Sequence, residues 1–262
     1  MFSKEHIINQ LKELGVPNDG VIIIHTSLRA IGEVEGRAQG LLNALKEYFT
    51  TGGGVLVVPT HTWSNFYGKK EYALNTLDNK TCLGTFSDVA AADADGVRTL
   101  NPTHSVVAFG NKERVKELVD SENLSITPTS PDGCYGKLTG VLLVGVGQNK
   151  NTYLHCVEES LGIKNRLSAS TAKMAIKLFD GKVIYKDFYY MISEGIEDPS
   201  VFFNKYETPF RKYGAIKDGF IGNAKVQFCD TVKMKAVMEL INENSNGVEL
   251  LADDKPLDRA WY

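Results

Sequence analysis

A chain of 262 residues, 43% hydrophobic and 23% charged, has the apolar content for a sizeable core, which excludes disordered, collagen-like and fibrous classes. A formal net charge of −3 supplies no general field for holding nucleic acid or an anionic membrane and suits a cationic ligand better. Cys82, Cys134, Cys156 and Cys229 form no CxxC pair, the start Met1 to Gln10 is polar, and no window approaches ~18 uninterrupted apolar residues. The expectation is one cytoplasmic α/β domain over 1–262, without a zinc site, disulfide framework or membrane helix.

Ile7, Ile8, Leu11 and Leu14 recur at helical spacing within Lys4 to Leu14, and Gly15-Val16-Pro17 ends that helix. Val21 to Ile24 is a continuous β-branched run, the signature of a buried strand, followed by the polar segment His25-Thr26-Ser27. Leu41, Leu42, Leu45 and Phe49 predict a helix, and Gly52-Gly53-Gly54 releases the chain into a second strand, Val55 to Val58. This order predicts a parallel βαβ unit. Pro59-Thr60-His61-Thr62 therefore follows a strand as His25-Thr26-Ser27 does, and both become walls of a crevice beyond the strands' carboxyl ends.

Trp63 to Leu83 lacks clear periodicity and reads as an irregular loop or lid. A strand over Val106 to Phe109, a charged helix from Lys112 to Val119 and a strong strand over Val141 to Val146 come next. Asn151 or Thr152 caps the following helix, which carries Tyr153, His155, Glu158 and Glu159 in its early turns. Met174 to Leu178 and Val183 to Tyr185 form a hairpin around Asp180-Gly181, and Thr231 to Ile241 is a final helix.

His155 stands three residues before Glu158 and four before Glu159, so either carboxylate shares the histidine's helix face. A histidine accepts a proton near neutral pH while a carboxylate orients its other nitrogen, which makes a base and its orienter. The same spacing also fits an ordinary surface ion pair. Convergence of His25, His61, His104 and His155 on a metal would imply a hydrolase, but no HExxH motif supports it. Cys156 points away from its neighbour His155 on a helix and reads as a core residue rather than a nucleophile. Trp63, Phe66 and Tyr67 suit either loop packing or stacking on sugars, so a noncatalytic carbohydrate-binding protein is a further alternative.

Taken in order, His25-Thr26-Ser27-Leu28, Pro59-Thr60-His61-Thr62, Pro102-Thr103-His104-Ser105 and Asn151-Thr152-Tyr153-Leu154-His155 resemble the aminoglycoside 3-N-acetyltransferase family. The resemblance continues to Glu158 and to the turns Gly214-Ala215-Ile216 and Gly222-Asn223-Ala224. It implies a central, largely parallel or mixed sheet flanked by helices, distinct from the GNAT acetyltransferase fold, and direct transfer from acetyl-CoA to an aminoglycoside or related aminosugar. His155 matches the family's base and Glu158 its acidic partner. The resemblance places coenzyme contacts at Thr26, Ser27 and Leu28, with Val34 and Ser105 as further candidates, and no metal. Thr60 and Thr62 are candidate oxyanion donors, although hydroxyls in such loops also serve as ordinary turn bonds. Asn101 stands where the family often has histidine, and Ser130 to Gly136 is an altered form of a Gly/Pro-rich family segment.

Overall fold

Ser3 caps the first helix, α1 (Lys4–Leu14), by accepting a bond from the His6 amide at 3.2 Å, and Gly15 ends it at φ +71°, a conformation glycine adopts without strain. The computed structural model describes residues 1–192, 198–247 and 255–262. Along the chain follow β1 (Val21–Thr26), α2 (Leu28–Ile31), α3 (Arg37–Thr51), β2 (Val55–Pro59), α4 (Trp63–Tyr67), β3 (Leu74–Asn75) and α5 (Thr85–Ala92). Then come β4 (Val97–Arg98), β5 (Val106–Gly110), α6 (Lys112–Leu124), β6 (Gly140–Val144) and α7 (Tyr153–Ser160). The last third holds β7 (Ala172–Lys177), β8 (Val183–Phe188), α8 (Glu207–Lys212), β9 (Ile216–Ile221), β10 (Ala224–Asp230) and α9 (Thr231–Ser245).

Seven strands form the main sheet in the order β4-β5-β2-β1-β6-β10-β9. The central three, β2, β1 and β6, are parallel, and the flanking strands join antiparallel. The sheet is mixed rather than largely parallel because the flanking hairpins need only short turns. Ile221 pairs with Ala224 across the two-residue loop Gly222-Asn223, where a parallel crossover would need a dozen residues or more.

Apolar residues on both faces of β1 explain its position at the centre. Val21 and Ile23 enter one core with α6, α7, α8 and α9, while Ile22 and Ile24 enter a second core with α1, α3 and α5. Helices thus cover both faces of the sheet, and a strand buried on two sides reads as an uninterrupted hydrophobic run. Full burial of each isoleucine is worth about 1.5–3 kcal/mol.

The expected 174–185 hairpin is present as β7 and β8, with β3 added to its other edge in the order β3-β7-β8. This corrects the reading of Trp63 to Leu83 as wholly irregular, since that stretch holds α4 and β3. The two residues of β3 become a strand by pairing with Ile176 and Lys177, a distant partner that no local period announces. Among the described residues no helix is long and apolar enough to cross a membrane.

Candidate active site

Strand β1 is the point where the parallel order reverses, with β2 on one side and β6 on the other. Loops leaving the carboxyl ends of these strands diverge there and open a crevice. His25 and Thr26 end β1, Thr60 to Thr62 follow β2, and α7 follows the exit of β6. Strand β5 runs antiparallel to β2, so His104, just before β5, arrives at the same end. Gly145 stops β6 at φ +67°, and a Cβ there would lie 2.4 Å from that of Ala30 and 3.5 Å from that of Ser27. The chain turns this closely past the β1 loop only with glycine.

Leu154, Cys156 and Val157 of α7 are buried in the core, and the Tyr153 hydroxyl donates to the Thr231 carbonyl at 3.1 Å. Thr152 holds the N-cap position without a side-chain cap bond, and Asn151 Oδ1 instead accepts from the Tyr153 amide at 3.2 Å. The face left over carries His155, Glu158 and Glu159 into a narrow cleft lined also by Thr129, Arg166 and Met191. His155 Nδ1 lies 3.1 Å from Glu158 Oε2, and Arg166 Nε donates to Glu158 Oε1 at 2.8 Å. The Glu158 side chain is only 1% exposed, so Arg166 offsets a charge that would otherwise be costly to bury. A carboxylate only accepts, so Nδ1 is the donor in this contact, an arrangement that in the neutral imidazole puts the lone pair on Nε2. Phe203 packs against the imidazole, ring centroids 4.8 Å apart. Of the two carboxylates that share this face, Glu158 takes the histidine and Glu159 accepts from the Thr127 hydroxyl at 2.6 Å.

His25, His61 and His104 lie beside this pair. His61 and His104 have ring centroids 4.6 Å apart. The Tyr135 hydroxyl donates to the His104 carbonyl at 3.1 Å, so His61 Nε2, 3.0 Å from the same hydroxyl, must be the donor in that contact. Burial holds His25 and His104 down at about 3, and it holds His61 well below the ordinary range, with His104 adding to the effect. All three are neutral at pH 7. Among the described residues no three His, Cys, Asp or Glu side chains are placed to hold a metal ion.

A model of the aminoglycoside 3-N-acetyltransferase family matches residues 23–241. The chain belongs to this family. Aminoglycoside N(3)-acetyltransferase IV of Salmonella sp is 30% identical over 189 residues, which span 71% of this chain and 68% of that protein. A histidine-to-alanine variant of AAC(3)-IVa, solved in complex with a gentamicin, is 26% identical, covers 90% of this chain and 86% of that one, and superposes with a TM-score of 0.69. AAC-IIIb in a binary complex with CoASH shares the fold at 17% identity and a TM-score of 0.72, covering 89% of this chain and 93% of that one. Membership makes this chain an acetyl-CoA-dependent acetyltransferase with the non-GNAT α/β fold of its relatives.

In this acetyltransferase the residues expected at the coenzyme fall into two groups. Thr26, Ser27 and Leu28 line the β1 exit loop and remain partly exposed. Two buried polar atoms there, Thr26 Oγ1 and His25 Nε2, have no hydrogen-bond partner among the described residues. The side chains of Val34 and Ser105 are buried. Val34 is buried in the core beside α1 and α3, and the fully buried Ser105 hydroxyl donates to the Thr60 carbonyl at 2.8 Å.

Thr60 and Thr62 likewise have their hydroxyl hydrogens committed, Thr60 Oγ1 to the Ser105 carbonyl and Thr62 Oγ1 to the Pro102 carbonyl, each at 3.1 Å. Their amides donate to the Ser105 and Thr103 carbonyls. With both donors occupied, these threonines lock the β2 loop to the loop before β5 and leave no hydrogen for an oxyanion.

Sequence reading passed over four residues that shape the site. Arg166 balances Glu158, Tyr135 bridges two histidines, and Arg98, held down to about 10 by burial, donates to the Thr60 carbonyl at 3.0 Å. Glu122, fully buried, accepts from Asn101 Nδ2 at 2.6 Å and from the Cys134 amide at 2.7 Å. Tyr135 carried a signal as part of the altered Ser130 to Gly136 segment, and so did Asn101, which holds Glu122, as the position differing from the family pattern. Its Oδ1 also accepts from the Thr103 and His104 amides, so it fixes the turn that delivers His104.

Proposed function

We propose that this acetyltransferase moves the acetyl group of acetyl-CoA onto an amino group of an aminoglycoside, the 3-amino group, with His155 as general base. The observation that carries the reading is the His155–Glu158–Arg166 chain on the crevice wall, in which a fixed Nδ1 proton leaves Nε2 free to accept. As the amine attacks the thioester carbonyl a C–N bond forms, Nε2 takes the amine's proton, and the C–S bond breaks to release CoA, whose thiolate is then protonated. Glu158 supports the imidazolium that exists between these steps. The relatives solved with CoASH and with a gentamicin support both substrates, and the partly exposed Thr26-Ser27-Leu28 loop is the part of this chain that suits the coenzyme.

Direct transfer is favoured by the state of the cysteines. Burial raises the thiols of Cys134, Cys156 and Cys229 well above their ordinary range and raises that of Cys82 too, and Cys82 Sγ donates to the His61 carbonyl, so none offers a thiolate for an acetyl-enzyme. We further propose that residues 1–262 work as one catalytic unit and that the protein acts in the cytoplasm, where acetyl-CoA is made available. The test is thiol release from acetyl-CoA with aminoglycosides that have or lack the 3-amino group, followed by NMR of the product. Acetylation at the 3-amino nitrogen is expected, and equal turnover of the acceptor lacking that amine would overturn the regiochemistry.

A further inference from the structure

The His155 cleft contains one acidic group that the proposed reaction does not use. Glu159 lies one helical turn beyond His155 and lines the same cleft. Its Oε1 accepts from the Thr127 hydroxyl at 2.6 Å, which pins the carboxyl group. Its Oε2 is buried and has no hydrogen-bond partner, and no ion pair involves Glu159 among the described residues. Arg166, which lines the cleft as well, is directed at Glu158 through Nε and at the Lys164 and Asn165 carbonyls through Nη1. A buried carboxyl oxygen that lacks a donor is destabilising, so its retention beside a working histidine points to a donor brought by a ligand.

Size and charge narrow that donor. The free space beside these residues is small, with room for a group the size of an ammonium rather than a sugar ring. Residues four apart on a helix are surface neighbours, so a group held at Glu159 lies close to one held at His155. The reacting amine must be neutral to attack and belongs at His155 Nε2, so it is not the group that Glu159 holds.

We infer that Glu159 is a specificity-determining residue that receives a second, protonated amine of the acceptor, one carried close to the reacting nitrogen. The inference rests on the aminoglycoside reading above. Burial raises the Glu159 carboxyl and the Thr127 bond lowers it, and an ammonium at Oε2 strengthens the second influence. Thr127 is then a positioning residue, since it holds the carboxyl by one oxygen and leaves the other for the ligand.

The experiment compares wild type, Glu159→Gln and Thr127→Val on two acceptors, an aminoglycoside with both amines and its analogue with hydroxyl in place of the neighbouring amine. Steady-state thiol release gives kcat and KM, and acetyl-CoA affinity and thermal melting are measured in parallel. For the diamine, Glu159→Gln is expected to raise KM about tenfold or more with kcat within about threefold, since an ammonium bound equally in ground and transition states contributes uniform binding. Thr127→Val is expected to do the same to a smaller degree, and neither substitution should move KM for the analogue. An equal KM change for both acceptors, an unchanged KM for the diamine, or a loss confined to kcat would overturn the assignment. If wild type turns over the analogue as well as the diamine, the inference fails while the acetyltransferase reading stands. If it turns over neither, both fail.

Discussion

His155 Nδ1 and Glu158 Oε2 stand 3.1 Å apart on successive turns of α7, and this contact decides which ring nitrogen faces the crevice. Arg166 closes the far side of Glu158 at 2.8 Å, so orientation of the base depends on a residue beyond the helix that carries it. The three side chains behave as a unit, and their substitutions are not expected to be additive.

His155→Ala should keep the fold and bind acetyl-CoA with near-normal affinity while kcat falls about 10²–10⁴-fold, the usual cost of losing a positioned base. The imidazole is 11% exposed, rests against Phe203 and does not belong to the buried Leu154, Cys156 and Val157 face of α7, so its removal leaves that core intact. Calorimetric titration with acetyl-CoA and stopped-time thiol assays measure the two quantities. A folded variant with ordinary turnover would sink the mechanism.

Glu158→Gln offers Nδ1 an amide that donates as readily as it accepts, so the tautomer with its lone pair on Nε2 is no longer enforced. A smaller fall in kcat is expected, about 10–10³-fold, with little change in acetyl-CoA affinity. Arg166→Met should act on stability as well, because it leaves the 1%-exposed carboxylate without its ion pair. Breaking a buried pair costs about 3–5 kcal/mol, or a fall in Tm on the order of 10 °C for a chain of this size. Scanning calorimetry on both variants tests the order of effects, and an Arg166→Met protein melting like wild type would remove the structural part of the argument.

Stability should rise steeply with pH between about 4.5 and 6.5. His25, His61 and His104 are neutral when folded but titrate near 6.5 once unfolded, so unfolding takes up protons, and their stabilisation is lost as pH falls below 6.5. Although His25 as a residue is partly exposed, its Nε2 is buried, and we count it with the others. Glu122 works in the opposite sense. Burial lifts it to about 7 from 4.5, so it stays protonated when folded, and its contribution declines as pH rises through that window. Near pH 5.5 the histidines take up about three protons on unfolding and Glu122 releases about one, a net slope of about 2–3 kcal/mol per pH unit in favour of higher pH. Urea melts at several pH values measure this slope, and Glu122→Gln should steepen it by about 1 kcal/mol per unit. A flat profile would contradict the neutral histidine cluster.

Asn101→Ala should be among the more damaging single substitutions outside α7. It strips partners from Glu122 Oε1, the Pro128 carbonyl and the Thr103 and His104 amides, all in a fully buried knot. Each buried group left unpaired costs about 1–3 kcal/mol, so a loss of at least about 3 kcal/mol is expected. Because the His104 turn loosens as well, kcat should drop more than the acetyl-CoA affinity. Chemical denaturation and thiol release separate these outcomes, and a stable, fully active Asn101→Ala protein would show that the knot is dispensable.

What the amino-acid order determined by itself was local. The β-branched run of β1, the apolar period of α1, α3 and α9, the 174–185 hairpin and the i, i+3 placement of His155 and Glu158 all follow from neighbours a few residues apart, where polarity and backbone preference act directly. Recurring family segments then carried the site to its crevice. Tertiary structure alone decided what depends on distant partners: the pairing of β3 with β7, the antiparallel arrival of β10 beside β6, Arg166 against Glu158, Tyr135 between His61 and His104, and the burial of Val34, Thr60, Thr62 and Ser105. A serine or threonine hydroxyl reads the same in sequence whether it meets a ligand or a carbonyl across the sheet. Its partner is settled when the chain packs and each buried donor must find an acceptor.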